Sequence, residues 1–220
     1  MSTRPAYIYM PPYGPVQVLY HDAEIIVAVK PTGLLSVPGK GPAHADCLLA
    51  RLQPAFPHAR IVHRLDMSTS GIMVLAQTAN ARRALSRQFE MRQTHKTYIA
   101  CLHGHLTETA GTITAPLICD WPNRPRQMVD FENGKACETH WRILKRGTDC
   151  TRVQLTPVTG RTHQLRVHMQ YIGHAIIGDD LYFQNGSVPR AGRLYLHAET
   201  IEFIHPHTGK TCLFSAPCPF

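Results

Sequence analysis

Three observations predict a mixed α+β fold with a largely antiparallel sheet for this 220-residue chain. Runs with strand character outnumber amphipathic helical runs, and several neighbouring strand runs are separated by hairpin-sized gaps. No GxGxxG or GxxxxGK(S/T) stretch occurs, which removes the glycine-rich turns expected of nucleotide-binding doubly wound sheets. The length allows a sizeable core, so one large domain or two small lobes is expected.

The first fifteen residues, with Pro5, Pro11, Pro12 and Pro15, read as an extended arm. VQVLY (16–20) and IIVAVK (25–30) read as strands joined through His21 to Glu24, followed by the turn-rich KPTGLLSVPGKGPA. A short helix is expected around 46–53, closed off by Pro54 and Pro57, and the wholly apolar IMVLA (72–76) suits a buried strand. From Asn80 to Arg92, Ala81, Ala84, Leu85 and Phe89 fall on one helical face and leave Arg82, Arg83, Arg87 and Arg92 on exposed sides.

TYIACL (97–102) is a further strand, whereas the proline-flanked segment from Pro116 to Pro125 is expected to be irregular. THWRIL (139–144) and TRVQLTP (151–157) read as a hairpin. A helix from about Thr162 to Ile172 is expected to stop at Gly173. Two last strands, in RLYLHAETIEFIHP and TCLFSAP, flank PHTGK.

Twenty-three Lys and Arg against fifteen Asp and Glu give a net charge of +8, which suits a polyanionic partner or a solubilising surface. The seven scattered cysteines form no CxxC pair, arguing for free thiols in a reducing compartment and against a disulfide framework or a Cys-built metal centre. The opening residues contain no apolar run of signal-peptide length and no membrane-spanning stretch follows, so a cytoplasmic protein is expected.

Three segments carry candidate chemistry. Asp66 lies between Leu65 and Met67, just ahead of the IMVLA strand, where a desolvated carboxylate needs a partner. An Asx-turn or helix-capping aspartate is the simpler reading of that spacing, with Ser68, Thr69, Ser70 and Gly71 shaping the turn. In TPVTGRTHQLRVHMQY (156–171), Leu165, Met169 and Ile172 make an apolar stripe, while His163, Arg166 and Gln170 follow another spacing. An arginine there can clamp a buried carboxylate; a solvated basic helix with packed histidines is the alternative. His163 and His168 are five apart, a poor spacing for a helical metal pair, so no metal is expected. Tyr98, in KTYIAC, is either a core residue or a face for a bound base. Residues 60–98 hold Arg60, Arg64, Arg82, Arg83, Arg87, Arg92 and Lys96 against Asp66 and Glu90, a local +5 that strengthens the polyanion reading.

In chain order, VAVKPTGLLSVPG (27–39), HRLDMSTSG (63–71), KTYIA (96–100), GRTHQLRVH (160–168), HAIIGDDLY (174–182) and LHAETIEFIHP (196–206) resemble the RluA-type pseudouridine synthases over nearly the whole chain. PLICDWPNRPRQM (116–128) and the short length most resemble the dual-specificity members that act on 23S ribosomal RNA and transfer RNA. The resemblance implies the pseudouridine synthase catalytic fold over residues 16–220 as a single domain, with no separate N-terminal RNA-binding domain. It also implies a monomeric, cofactor-free isomerase acting on structured RNA such as the tRNA anticodon stem-loop.

Within that resemblance Asp66 is the catalytic aspartate, Tyr98 stacks on the target uracil and is a candidate proton acceptor, and Arg166 pairs with Asp66. Arg64 enters the RNA where the nucleotide has left, and His63, Arg161 and His163 are RNA-binding or base-flipping candidates. Arg82, Arg83, Arg87, Arg92 and Lys96 are candidate phosphate contacts. Two positions depart from the family pattern: Ala175 stands where proline is common, and VAVKP replaces VVNKP. A noncatalytic RNA-binding protein and a glycosidase or metal nuclease are the competing classes. The motif segments supply one carboxylate where glycosidases commonly use two, and no acidic or histidine ligand cluster for a nuclease metal.

Overall fold

The computed structural model describes residues 8–183 and 192–220, so the first seven residues of the expected arm lie outside the described region. Residues 8–15 have no regular structure, as their prolines dictate, and they are tied to the body. The Tyr9 hydroxyl donates to the Asp46 carbonyl and accepts from the Leu35 amide, and Arg51 donates to the carbonyls of Pro12 and Gly14.

In chain order the elements are β1 (Gln17–His21), β2 (Ile25–Lys30), α1 (Leu48–Leu52), β3 (Arg60–Ile61), β4 (Ser70–Ala76), α2 (Ala79–Glu90), β5 (His95–His103), β6 (Ala110–Ile113), β7 (Leu117–Cys119), β8 (Gln127–Val129), β9 (Thr139–Arg146), β10 (Cys150–Pro157), α3 (Gln164–Tyr171), β11 (Leu196–Ile204) and β12 (Thr211–Ser215). Asp22 turns the first hairpin by accepting the amides of Glu24 and Ile25. Thr78 caps α2 through the Ala81 amide, and Gly173, at φ 86, ends α3.

Among the described residues ten strands form one sheet in the order β1-β2-β4-β11-β5-β10-β9-β6, with β12 paired to β11 and β3 to β4. Its pairings are antiparallel except β4 with β11, bearing out the α+β expectation. The central strands alternate their side chains between two cores. Ile72 and Val74 meet Ala81 and Leu85 of α2 on one face, while Met73 and Leu75 meet Leu48 and Leu52 of α1 on the other. On that second face Leu165 and Met169 of α3 pack against Ala100, Leu102, Val153 and Leu155. Burying each such aliphatic side chain contributes roughly 1.5–3 kcal/mol, which is what holds the helices to the sheet.

Two readings are corrected. The segment after Pro116 is not irregular: β7 and β8 form a two-stranded antiparallel hairpin of their own, with Leu117 opposite Val129, because the prolines occupy its flanks and tip and leave the ladder amides free. Nor is α3 the solvated basic helix that was the alternative reading of its spacing, since Gln164 to Met169 are all buried. The sheet covers one side of the helix, and a second cluster of Leu117, Cys137, Val167 and Tyr182 covers another. The short strands β3 and β6 carry too few residues for a period-2 signal and were not expected.

Gly71 marks a close backbone approach, where β4 meets β11. It has φ 121, and a Cβ there would land on the backbone oxygen, nitrogen and Cα of Ala198. Gly71→Ala is expected to cost about 3 kcal/mol or more, lowering the melting temperature by roughly 6–12 °C in a thermal scan.

Candidate active site

One pocket gathers residues from four distant segments: Arg64, Leu65, Asp66 and Thr69 ahead of β4, Lys96 and Tyr98 on β5, a stretch from Pro157 at the end of β10 to Arg166 on α3, and Leu196 on β11. β5 and β10 are direct neighbours, and β11 links β5 to β4, so the sheet order brings these segments to one place.

The loop that presents Asp66 is pinned from the loop after β2. Ser36 donates through Oγ to the Leu65 carbonyl and accepts the Leu65 amide. The Met67 carbonyl accepts from the Gly33 amide at 2.9 Å and from Lys30 Nζ at 2.9 Å, and the Ser68 carbonyl accepts from Thr32 Oγ1 at 2.7 Å. Lys30 is fully buried and also donates to the carbonyls of Pro31 and Leu34. Burial pulls its ammonium down to about 7, with the Asp66 charge opposing. Three carbonyls at 2.7–2.9 Å require three N–H donors, which the charged form alone supplies. Among the described residues no backbone amide bonds the Asp66 carboxylate, so the simpler capping role is not seen, and a backbone bond from the Thr69 amide to the Asp66 carbonyl closes the turn. Ser70 is not a local turn hydroxyl either: its Oγ lies 2.8 Å from His197 Nδ1 and accepts from Arg193.

Arg166 is 3 % exposed at its side chain and faces three carboxylates. Its Nε and Nη2 donate to Asp179 at 2.7 Å each, Nη2 reaches Asp180 at 3.1 Å, and Nη1 lies 3.9 Å from Asp66 Oδ2. The expected Asp66 partner is therefore bonded foremost to Asp179 and offers Asp66 its remaining nitrogen. Burial opposes the guanidinium charge, but the hydrogen bonds and charge of Asp179, with Asp66 and Asp180, outweigh it and push its proton affinity up. Asp179 is fully buried and also accepts the amides of Leu181 and Tyr182.

Tyr98 is paired in register with Leu155 on one side and Ala198 on the other, packs between the two cores of its face and lines the pocket. Burial, then the Asp66 charge, raises its phenol well above the ordinary value, so it stays protonated at neutral pH. Gln164 fixes the turn before α3: its Oε1 accepts from the Arg161 amide and Thr159 Oγ1, and its Nε2 donates to Thr139 Oγ1 and the Glu138 carbonyl. Arg161 and Arg64 are exposed at the rim.

The other candidates separate. Lys96 lines the pocket, whereas Arg82, Arg83 and Arg87 sit on α2, which packs against the opposite face of the sheet, with Arg92 just past its end. His63 is outside the pocket lining: its Nε2 accepts the Val74 amide at 3.1 Å and its ring stacks on Phe89 at 4.5 Å. Burial, reinforced by Lys96, pulls His63 down to about 3. His168 is a packing histidine bonded to Thr139 and Ala115. Lys30, Asp179 and Tyr182 were given no role by sequence reasoning. The signals available were a lysine closing an apolar strand run and two residues of HAIIGDDLY. Among the described residues no group of three or more His, Cys, Asp or Glu could hold a metal ion, and all seven cysteines are free.

His63 has a measurable consequence. Its folded pKa of about 3 lies below the usual 6.5, so the unfolded chain binds the extra proton between these values. Its stability contribution is complete above pH 6.5 and is lost as pH falls toward 3, with a slope of at most about 1.4 kcal/mol per pH unit. His163, His168 and His197, also lowered mainly by burial, act in the same direction. The denaturant midpoint is expected to fall from pH 6.5 to pH 4, and His63→Gln to flatten that slope; an unchanged slope would count against the assignment.

The pocket thus places a buried arginine within reach of a carboxylate, beside an aromatic ring and under a rim of cations. The chain belongs to the RNA pseudouridylate synthase family, whose model matches residues 24–171, and is thereby an RNA-modifying isomerase. It is 50% identical over 204 residues to the dual-specificity RNA pseudouridine synthase RluA of Yersinia pestis, covering 92% of this chain and 99% of that one. The protein of the same name from Vibrio vulnificus is 47% identical over 218 residues, covering 96% of this chain and 87% of the relative. A solved structure titled human RNA pseudouridylate synthase domain containing 1 matches with a TM-score of 0.80 at 29% identity, covering 99% of this chain and 87% of that chain.

Proposed function

We propose that this enzyme has dual specificity, converting uridine to pseudouridine in a tRNA anticodon stem-loop and in a 23S rRNA loop, with Asp66 as its catalytic residue. The observation that carries the site assignment is the pocket itself, in which Asp66 is the only carboxylate among the described lining residues, beside Tyr98 and Arg166. The dual specificity rests on the relatives that bear this description.

The target base must leave its stack, at a cost of a few kcal/mol that is smallest in a loop. Arg64, exposed at the rim, fills the vacated space, and Tyr98 offers its ring to the uracil. The step that breaks the bond between C1′ and N1 runs through Asp66, whether by attack or by removal of a ribose proton, with Arg166 holding the carboxylate in place. Burial favours the protonated phenol of Tyr98, whose ring serves as a surface, and Asp66, water and Tyr98 are the candidate acceptors of the C5 proton. Atoms and oxidation level are conserved between uridine and pseudouridine, so the reaction calls for no cofactor. Arg161, His163 and Lys96 contact the RNA at the pocket. Arg82, Arg83, Arg87 and Arg92 would contact only RNA that wraps past the sheet.

Residues 16–220 act as one catalytic domain, and the enzyme works as a cytoplasmic monomer. No helix among the described residues is long and apolar enough to cross a membrane. Pseudouridine mapping in total RNA from cells with and without the gene tests the reading. Loss of one tRNA and one 23S rRNA modification is the expected result. Loss from a single RNA class would overturn dual specificity.

A further inference from the structure

His163 adopts φ 54 at the N-terminus of α3, a left-handed conformation that glycine or asparagine occupies more readily than histidine. Its Nδ1 lies 2.6 Å from the Tyr182 hydroxyl, which also accepts the Gln127 amide at 2.8 Å. A phenol has one proton to donate, and among the described residues His163 Nδ1 is the acceptor found for it. Leaving that buried hydroxyl proton without an acceptor would be costly, so Tyr182 donates and Nδ1 accepts. Burial raises the Tyr182 phenol to about 12 and pulls the His163 imidazole down, so one keeps its proton and the other its lone pair. The neutral ring then carries its hydrogen on Nε2. The imidazole lines the pocket with Asp66, Tyr98 and Arg166.

We propose that His163 is a further specificity-determining residue that donates its Nε2–H to an acceptor oxygen of the flipped nucleoside, with Tyr182 as the positioning residue that fixes this tautomer. The proposal rests on the reading of the pocket as a uridine site. The oxygen belongs either to a carbonyl of the uracil or to the ribose 2′-hydroxyl. A donor to the C4 carbonyl favours uracil over the amino group of cytosine, a donor to the 2′-hydroxyl favours ribose over deoxyribose, and a donor to the C2 carbonyl, which cytosine shares, fixes the orientation of the base.

The test combines spectroscopy with kinetics on a stem-loop substrate. Nitrogen-15 spectra of the full chain should show His163 protonated at Nε2, and Tyr182→Phe should raise the Nδ1–H population. Glycine relieves the left-handed backbone and so offsets part of the loss of the Tyr182 acceptor, so His163→Gly should fold with a modestly lowered melting temperature while kcat/KM falls by about 10–100-fold. Glutamine places an N–H near the position of Nε2 and asparagine near that of Nδ1, so His163→Gln should recover activity that His163→Asn does not. The effect of His163→Gly on binding should vanish for one of three target analogues: 2-thiouridine or 4-thiouridine assigns a base carbonyl, and 2′-deoxyuridine the ribose. An Nδ1–H tautomer in the wild type, equal loss in the glutamine and asparagine variants, or an undiminished effect on all three analogues would overturn the proposal. Wild-type protein that makes no pseudouridine would instead defeat the reading beneath it.

Discussion

Asp66→Asn is expected to remove pseudouridine formation by at least about 1,000-fold, roughly 4 kcal/mol of transition-state stabilisation. The amide keeps the shape of the side chain but gives up the charge and the nucleophilic or basic oxygen. The variant should remain folded, because the loop around position 66 is held by other groups. Ser36 brackets Leu65, Lys30 and Gly33 hold the Met67 carbonyl, and Thr32 holds that of Ser68. Circular dichroism and substrate binding close to wild type, with no carbodiimide adduct at the target uridine, is the full expected pattern. Turnover near the wild-type rate would dismiss Asp66 as the catalytic group.

Asp179→Ala is expected to have the largest effect on stability. Asp179 is fully buried, and its removal leaves the 3 %-exposed Arg166 side chain without its bidentate acceptor and the Leu181 and Tyr182 amides without theirs. Removing one partner of a buried charge pair costs about 3–5 kcal/mol. For a chain of this size that lowers the melting temperature by roughly 6–20 °C. Activity should fall as well, since Arg166 would turn toward Asp180 and Asp66 instead of holding one position. A melting temperature within about 2 °C of wild type would show that Arg166 is anchored some other way.

The fold class was legible because strand periodicity and hairpin spacing are local properties. The run 25–30 becomes β2 without correction, and 139–144 with 151–157 pair as β9 and β10. The environment of α3 was not legible: three- and four-residue spacing marks His163, Arg166 and Gln170 as polar, but whether a polar face meets water or a buried carboxylate depends on the hairpin at 117–129 lying over it. Asp66, Tyr98 and Arg166 were found as residues, and all three line the pocket. The Arg166 to Asp179 bond spans 13 positions and leaves no periodic trace. Lys30 was hidden for a related reason, since its value lies in three carbonyls that sequence does not display. His63 is the converse case, a motif histidine whose contacts here are a backbone amide and a phenylalanine ring outside the pocket lining.

The position of β11 between β4 and β5 has a consequence for biosynthesis. The loop that carries Asp66 leads into β4, Tyr98 is on β5, and these strands are bridged only through Leu196–Ile204. A nascent chain can hold every motif residue from Asp66 to Arg166 and still lack the strand that brings them to one place. Pairings this distant in sequence form late and slowly. A strand that contributes only Leu196 to the pocket lining thus decides when the other lining segments can come together, well after Arg166 itself has been made.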